Sequence, residues 1–145
     1  MDNEMTLTFL ARSENESLAR LAMTCFIAPL DPTINELAEC KTIVSEAVSN
    51  AIIHGYANGT GVITMHAVRN GDVISVAIKD SGCGITNVEQ AKEPLFTTKP
   101  ELERSGMGFT IMESFADSLH IESVVGEGTV ITFTKQISSV GALVT

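Results

Sequence analysis

Positive charge is scarce in this chain. Nine Lys and Arg face eighteen Asp and Glu, for a formal net charge of -9 and an isoelectric point near 4.6. Affinity for a phosphate backbone is carried largely by Lys and Arg, so this balance argues against direct nucleic-acid binding and suits neutral or basic protein partners. Cysteine is equally sparse: Cys25, Cys40 and Cys83 form no C-x-x-C pair, so neither a disulfide nor a zinc site is expected. Cys25 and Cys40 fall on apolar helix faces, where a thiol behaves as a small hydrophobe. No apolar run approaches the roughly 18 residues of a membrane span, and no charged-then-apolar leader opens the chain, so a cytoplasmic location is expected. Internal repeats, low-complexity tracts and linkers are missing too. With 145 residues at 44% hydrophobic, the expectation is one domain, residues 1–145, with a proper core. There is no G-x-G-x-x-G after the first strand and no G-x-x-x-x-G-K-S/T, which excludes Rossmann and P-loop nucleotide folds.

What is present falls into regular pieces. Met5, Leu7 and Phe9 alternate with Thr6 and Thr8, the period of a strand with one buried face. Ser13-Glu14-Asn15-Glu16 reads as a capping box opening a helix whose apolar side is Leu18, Leu21, Ala22 and Cys25, ending near Pro29. Arg20 lies off that face and, as one of few cations, is a candidate partner contact; an ordinary solvated arginine is the plain alternative. Asp31-Pro32-Thr33 offers two caps for a second helix of about 20 residues that stops at Gly55. At about 100° per residue, Leu37, Cys40, Val44, Ala47, Val48 and Ala51 share an arc, while Glu46, Asn50 and His54 form a polar stripe roughly opposite it. Taken alone, that stripe is only a solvated face. Two alternating runs, Val62 to Val68 and Val73 to Lys79, are joined by Asn70-Gly71 as a hairpin. The second run leads into Asp80-Ser81-Gly82-Cys83-Gly84, an acid at a strand end followed by glycines that let backbone approach a ligand closely. A plain turn is the competing reading.

Residues 85–105 hold one short helical stretch, with Thr86 and Glu89 as a candidate capping box, and then no apolar period, the pattern of a mobile lid. Arg104-Ser105-Gly106-Met107-Gly108 follows, and Phe109, Met112, Phe115 and Ala116 take up helical spacing. A glycine loop feeding a helix amino terminus makes an anion site, because free backbone N–H groups and the helix dipole converge there. Two last strands, Leu119 to Val125 and Thr129 to Lys135, turn at Gly126-Glu127-Gly128, and the tail from Ser138 reads as frayed.

In order, Glu46-x-x-x-Asn50, Asp80-x-Gly82-x-Gly84, the lid, Gly106-x-Gly108 and Gly128-Thr129 form a set that resembles the ATP-binding domain shared by gyrase, heat-shock chaperones, histidine kinases and the mismatch-repair ATPase. The resemblance covers almost the whole chain. It implies an α+β two-layer sandwich of the Bergerat type, a mixed, mostly antiparallel sheet covered on one face by helices. Ser45 to Tyr56, Pro94 to Pro100 and Glu101 to Glu113 narrow it, looking like the sporulation anti-sigma factors of sigma F. That family implies a homodimeric protein-serine kinase that holds sigma F when ATP is bound and phosphorylates an anti-anti-sigma factor.

The resemblance also implies roles. Asp80 accepts from the adenine amino group, a task suited to a fixed carboxylate. Asn50 ligates Mg²⁺, a hard ion that takes few protein ligands and shares phosphate oxygens and water. Glu46 is the general base, and Arg104 neutralises charge developing on the γ-phosphoryl group. Gly82, Gly84, Thr97, Thr98, Ser105, Gly106, Met107, Gly108 and Thr129 complete the contacts to ATP or ADP. His54 and Cys83 are given no chemistry. A histidine kinase would need a preceding helical hairpin with a phospho-accepting His, and gyrase-like or chaperone-like machines a following transducer domain; 145 residues are expected to hold neither. The readings left beside this one are a related kinase acting on another sigma factor and a nucleotide-gated binding protein without kinase activity.

Overall fold

The computed structural model describes residues 1–91 and 108–138. Five strands form one sheet in the order β1-β2-β3-β5-β4: β1 is Asn3–Leu10, β2 Val62–Asn70, β3 Val73–Asp80, β4 Ser118–Val124 and β5 Gly128–Gln136. All four pairings are antiparallel, so the antiparallel part of the expectation accounts for the whole described sheet and the mixed part for none of it. The helices are α1 (Asn15–Ile27), α2 (Ile34–Asn50), the one-turn α3 (Val88–Ala91) and α4 (Gly108–Phe115).

Alternation decides which face is covered. Ile63, Met65 and Ala67 of β2, Ile74, Val76 and Ile78 of β3, and Ile131 and Phe133 of β5 are buried, while Thr64, His66, Ser75, Thr132 and Thr134 between them are half-buried. The buried set joins Cys40, Ile43, Val44, Ala47 and Val48 of α2 in one core. The arc read from the sequence is therefore the buried one, although Leu37 at its amino end is only half-buried. In the hairpin Asn70 pairs with Val73, so the turn residues are Gly71 and Asp72, with Gly71 at φ 60°.

Helix α1 turns the other way from the expectation. Ala19, Met23, Phe26 and Ile27 are its buried apolar residues, and Leu18 (43%), Leu21 (62%) and Cys25 are exposed. Two apolar stripes run along this helix, and periodicity cannot choose between them. The stripe carrying Met23, Phe26 and Ile27 has the larger side chains to bury. Its amino end also differs: there is no side-chain cap, and Glu16 is drawn inward to accept from Ser45 Oγ at 3.3 Å instead of reaching back to Ser13. At α3, Asn87 and not Thr86 supplies the cap, its Oδ1 accepting from Gln90 N–H at 3.0 Å.

Helix α2 is capped as its sequence dictates. Thr33 accepts from Glu36 N–H at 3.1 Å and Glu36 Oε1 from Thr33 N–H at 2.9 Å, a complete capping box. Past Asn50 the helix widens into a π turn, Ala51–Gly55, closed by Tyr56 N–H to Ala51 C=O at 2.9 Å. On the sheet side of α2, Lys135 of β5 is buried yet charged, donating to Glu39 at 3.0 Å and to the Phe115 carbonyl that ends α4 at 2.6 Å.

Candidate functional site

The π turn matters because of where it ends. Gly55 lies directly against the carboxylate of Asp80, so close that a Cβ on it would sit 2.9 Å from Oδ1. Asp80 is the last residue of β3, and its position in the alternation turns it towards the helices, 4% exposed. Gly82 N–H donates to its Oδ1 at 2.9 Å, and the Thr129 backbone N–H, across the β3–β5 ladder, also reaches the carboxylate. Burial nonetheless dominates and raises its pKa above the ordinary aspartate value, with the two N–H donors opposing. The result is a fixed acceptor in a nearly dry wall.

The glycines around it are there for closeness. A side chain at Gly82 would collide with the Gly55 carbonyl, and one at Gly128, whose φ is 127°, with the Asp80 carbonyl. Cys83 N–H donates to Gly55 C=O at 2.9 Å, and its exposed thiol to His54 C=O at 3.1 Å. Tyr56 braces the same loop from behind, its hydroxyl accepting from Ser81 N–H and donating to Val62 C=O, both at 2.7 Å. Thr129 is 4% exposed, and its hydroxyl lies 2.8 Å from Ser123 Oγ.

One turn back from the π segment, Glu46 and Asn50 stand half-buried on α2. Glu46 meets the first residue of α4: a Cβ on Gly108 would lie 3.1 Å from Glu46 Oε2. A carboxylate thus faces the first residue of α4, at the helix end where the dipole favours anions. Asp80, Gly82, Gly84, Gly108 and Thr129 from the sequence reading therefore lie at one end of the α2–β3–β5 stack, with Glu46 and Asn50 beside them. Thr97, Thr98, Arg104, Ser105, Gly106 and Met107, and most of the expected lid, fall outside the described residues. Arg20 is elsewhere, half-buried between the helices, donating to Ser45 Oγ at 3.0 Å and Ser17 Oγ at 3.1 Å.

Gly55 and Tyr56 were missed as site residues, as was the π turn that carries them. Gly55 was read only as a helix stop, and no side-chain pattern marks an i to i+5 bond. A recess of about 510 Å³ lined by Tyr56, Gly61, Val62, Thr64, Lys79 and Ser81 lies on the opposite face of the sheet, since Lys79 and Asp80 alternate. It shares Tyr56 and Ser81 with the Asp80 loop, but Asp80, Gly82 and Gly128 are not in its lining.

Residues 9–135 match the histidine kinase-like ATPase domain family. An anti-sigma F factor of Lysinibacillus sphaericus is 65% identical over 97% of both chains, and that of Geobacillus thermodenitrificans is 55% identical over 99% of both. Among solved structures, the RsbU and RsbW domains of a Mycobacterium tuberculosis protein superpose with a TM-score of 0.69 at 20% identity, over 94% of this chain and 32% of that one. The catalytic domain of the histidine kinase ThkA does so with a TM-score of 0.56 at 18% identity, over 93% of this chain and 99% of that one. At those identities the structural likeness concerns the fold alone, an α+β sheet-and-helix sandwich shared with histidine kinase ATP-binding domains.

Proposed function

The chain belongs to the anti-sigma F factor family of histidine kinase-like ATPase domains, and from that membership we propose that it is an ATP-dependent anti-sigma factor. In this reading it binds and inhibits sigma F and, as a serine kinase, phosphorylates and inactivates an anti-anti-sigma factor. It works as a cytoplasmic homodimer. The observation that carries the nucleotide part is the Asp80 carboxylate, buried at a strand end and backed by glycines that leave no room for a side chain.

The residues fit an adenine nucleotide with Mg²⁺. Asp80, held ionisable in a low-dielectric wall, accepts from the adenine amino group, and Thr129 lines the same edge. Asn50 offers an amide oxygen to the metal, a ligand type suited to a hard ion. Backbone N–H groups at the start of α4 receive phosphate oxygens, with Arg104, Ser105, Gly106 and Met107 immediately before it in the sequence. Bound ATP supplies the phosphoryl group, and Mg²⁺ offsets charge on its oxygens. Glu46, against that helix end, takes the proton of the substrate serine hydroxyl as the oxygen attacks.

The test is incubation with radiolabelled ATP and the anti-anti-sigma partner, alongside copurification of sigma F in ATP and then in ADP. Glu46→Gln keeps the length and helix propensity of the side chain, so Mg-ATP and sigma binding survive while serine phosphorylation falls by about 100-fold to 10,000-fold, the usual contribution of a general base. Asn50→Ala instead weakens Mg-dependent nucleotide binding. A Glu46→Gln protein that transfers phosphate at the wild-type single-turnover rate removes Glu46 from the mechanism. Wild-type protein that captures sigma in ATP but labels no partner leaves the nucleotide-gated binding protein in its place.

A further inference from the structure

The second charged contact to α4 is far from Glu46 and has the opposite sign. Lys135 sits on β5 among the inward-facing residues Phe133 and Ile137 and is only 7% exposed. Burying an ammonium is costly unless it is paired and hydrogen-bonded, and Lys135 is both: it donates to Glu39 Oε2 at 3.0 Å and to the Phe115 carbonyl at 2.6 Å. Phe115 ends α4, so the cation also sits where the helix dipole is negative and satisfies a carbonyl that has no intrahelical donor.

The spacing along the two helices gives this clamp its consequence. Glu39 and Glu46 are seven residues apart on α2, and Phe115 and Gly108 are seven apart on α4, so each span is about 10 Å at 1.5 Å per residue. Glu46 meets Gly108 at one end, and Glu39 meets Phe115 through Lys135 at the other. The two helices therefore run antiparallel over equal lengths, in close approach at one end and joined by hydrogen bonds at the other. Without the pin at Lys135, apolar contacts such as Met112 would be left to hold α4, and these do not fix its position along its own axis as a directional, charge-assisted pair does.

We infer that Lys135 is a positioning residue: by holding Glu39 and the last carbonyl of α4 together, it sets the axial position of α4 on α2 and hence the gap between the amino end of α4 and Glu46. The inference rests on the reading above, in which phosphates meet that helix end and adenine meets Asp80. It implies that loss of Lys135 weakens binding of the nucleotide's phosphates and spares its base, because Asp80 pairs with Thr129, six residues along β5 from Lys135, and takes its own hydrogen bonds from Gly82 and Thr129.

The experiment compares AMP, ADP and Mg-ATP binding by calorimetry for wild type, Lys135→Met, Lys135→Arg and Glu39→Gln, with circular dichroism as the check on folding. Expected for Lys135→Met is an Mg-ATP affinity reduced about ten-fold, the order carried by a charge-assisted contact at a helix end, with AMP affinity unchanged. Lys135→Arg, which keeps charge and donors, recovers most of the loss. Equal Mg-ATP affinity in a folded Lys135→Met protein overturns the inference, as does a loss that is the same for AMP and Mg-ATP. Should Lys135→Met not fold, Glu39→Gln decides: a loss confined to ADP and Mg-ATP supports the clamp, and wild-type affinities refute it. Wild-type protein that binds none of the three nucleotides would sink the nucleotide reading itself, an outcome distinct from either.

Discussion

Asp80 is a carboxylate that water barely reaches, and its proton affinity follows from that. Because burial raises its pKa, the folded chain binds a proton there more tightly than the unfolded chain does. In the window from about 3.9, the ordinary aspartate value, up to the raised one, Asp80 therefore makes stability fall as pH rises. If Asp80 holds the adenine as proposed, nucleotide affinity should have the opposite slope through that window, since the ionised form is the stronger acceptor. Asp80→Asn should keep the fold, cost about 1.5 to 3 kcal/mol of ADP and ATP binding, and abolish this pH dependence. Calorimetric titrations across the acidic range check both parts, and an undiminished affinity in the variant would remove Asp80 from the site. Its place at the end of β3 was legible from the alternating run, although Asp80 followed by two glycines reads equally as a plain turn. The Gly55 backing was not, since a contact between residues 25 apart leaves no local trace.

At the scale of elements, local pattern settled neither helix ends nor helix faces: the apolar arc of α2 is the buried one and that of α1 is not, and Asn87 replaces Thr86 as the cap of α3. Thr33 was read only as one of two candidate caps and heads a full capping box with Glu36, whereas the Ser13–Glu16 box was read from the sequence and is not formed, Glu16 accepting from Ser45 on α2. A cap forms when nothing else competes for its side chains. Thr33→Ala should cost about 1 kcal/mol, read as a lower thermal midpoint. Glu36 in that box is pushed up by burial but held below the usual glutamate value by hydrogen bonds from Ser138 and Thr33. Its contribution is therefore present above the ordinary glutamate value and is lost as pH falls through the depressed one, opposite in sign to Asp80. The Asp80–Gly84 loop offers its own reporter. Iodoacetamide should modify the exposed Cys25 and Cys83 and spare Cys40, whose thiol burial raises to about 12. ADP should protect Cys83 alone; equal labelling of Cys83 with and without ADP would place the nucleotide elsewhere.

For the whole molecule, alternation and helical period gave the strands and the long amphipathic α2, while the sandwich they build was implied by the family resemblance. Strand order and the choice of stripe on α1 were not legible, since both depend on which surfaces meet and several arrangements bury similar area. The excess of acid acts at this scale too. With a net charge of -9 the folded chain repels itself, so raising salt from about 10 mM to 150 mM, which shortens the screening length from about 30 to 8 Å, should raise the thermal midpoint. Because Lys135 is buried and Glu39 half-buried, screening takes less from that pair than from a fully exposed one. A midpoint that falls with salt would mean that surface attractions outweigh this repulsion.

The central position of β3 between β2 and β5 also sets a timetable. During synthesis α2 and the β2–β3 hairpin leave the ribosome early, yet the Asp80 loop has Gly128 and Thr129 as its far wall. A nascent chain halted before β5 would display the acid and the glycines with one side open to water, and nucleotide capture would begin only once the last strand had emerged. Stalled chains of increasing length, probed for ADP retention, should change abruptly as β5 clears the exit tunnel, so this protein would become responsive to the cell's adenylate pool late in its own translation.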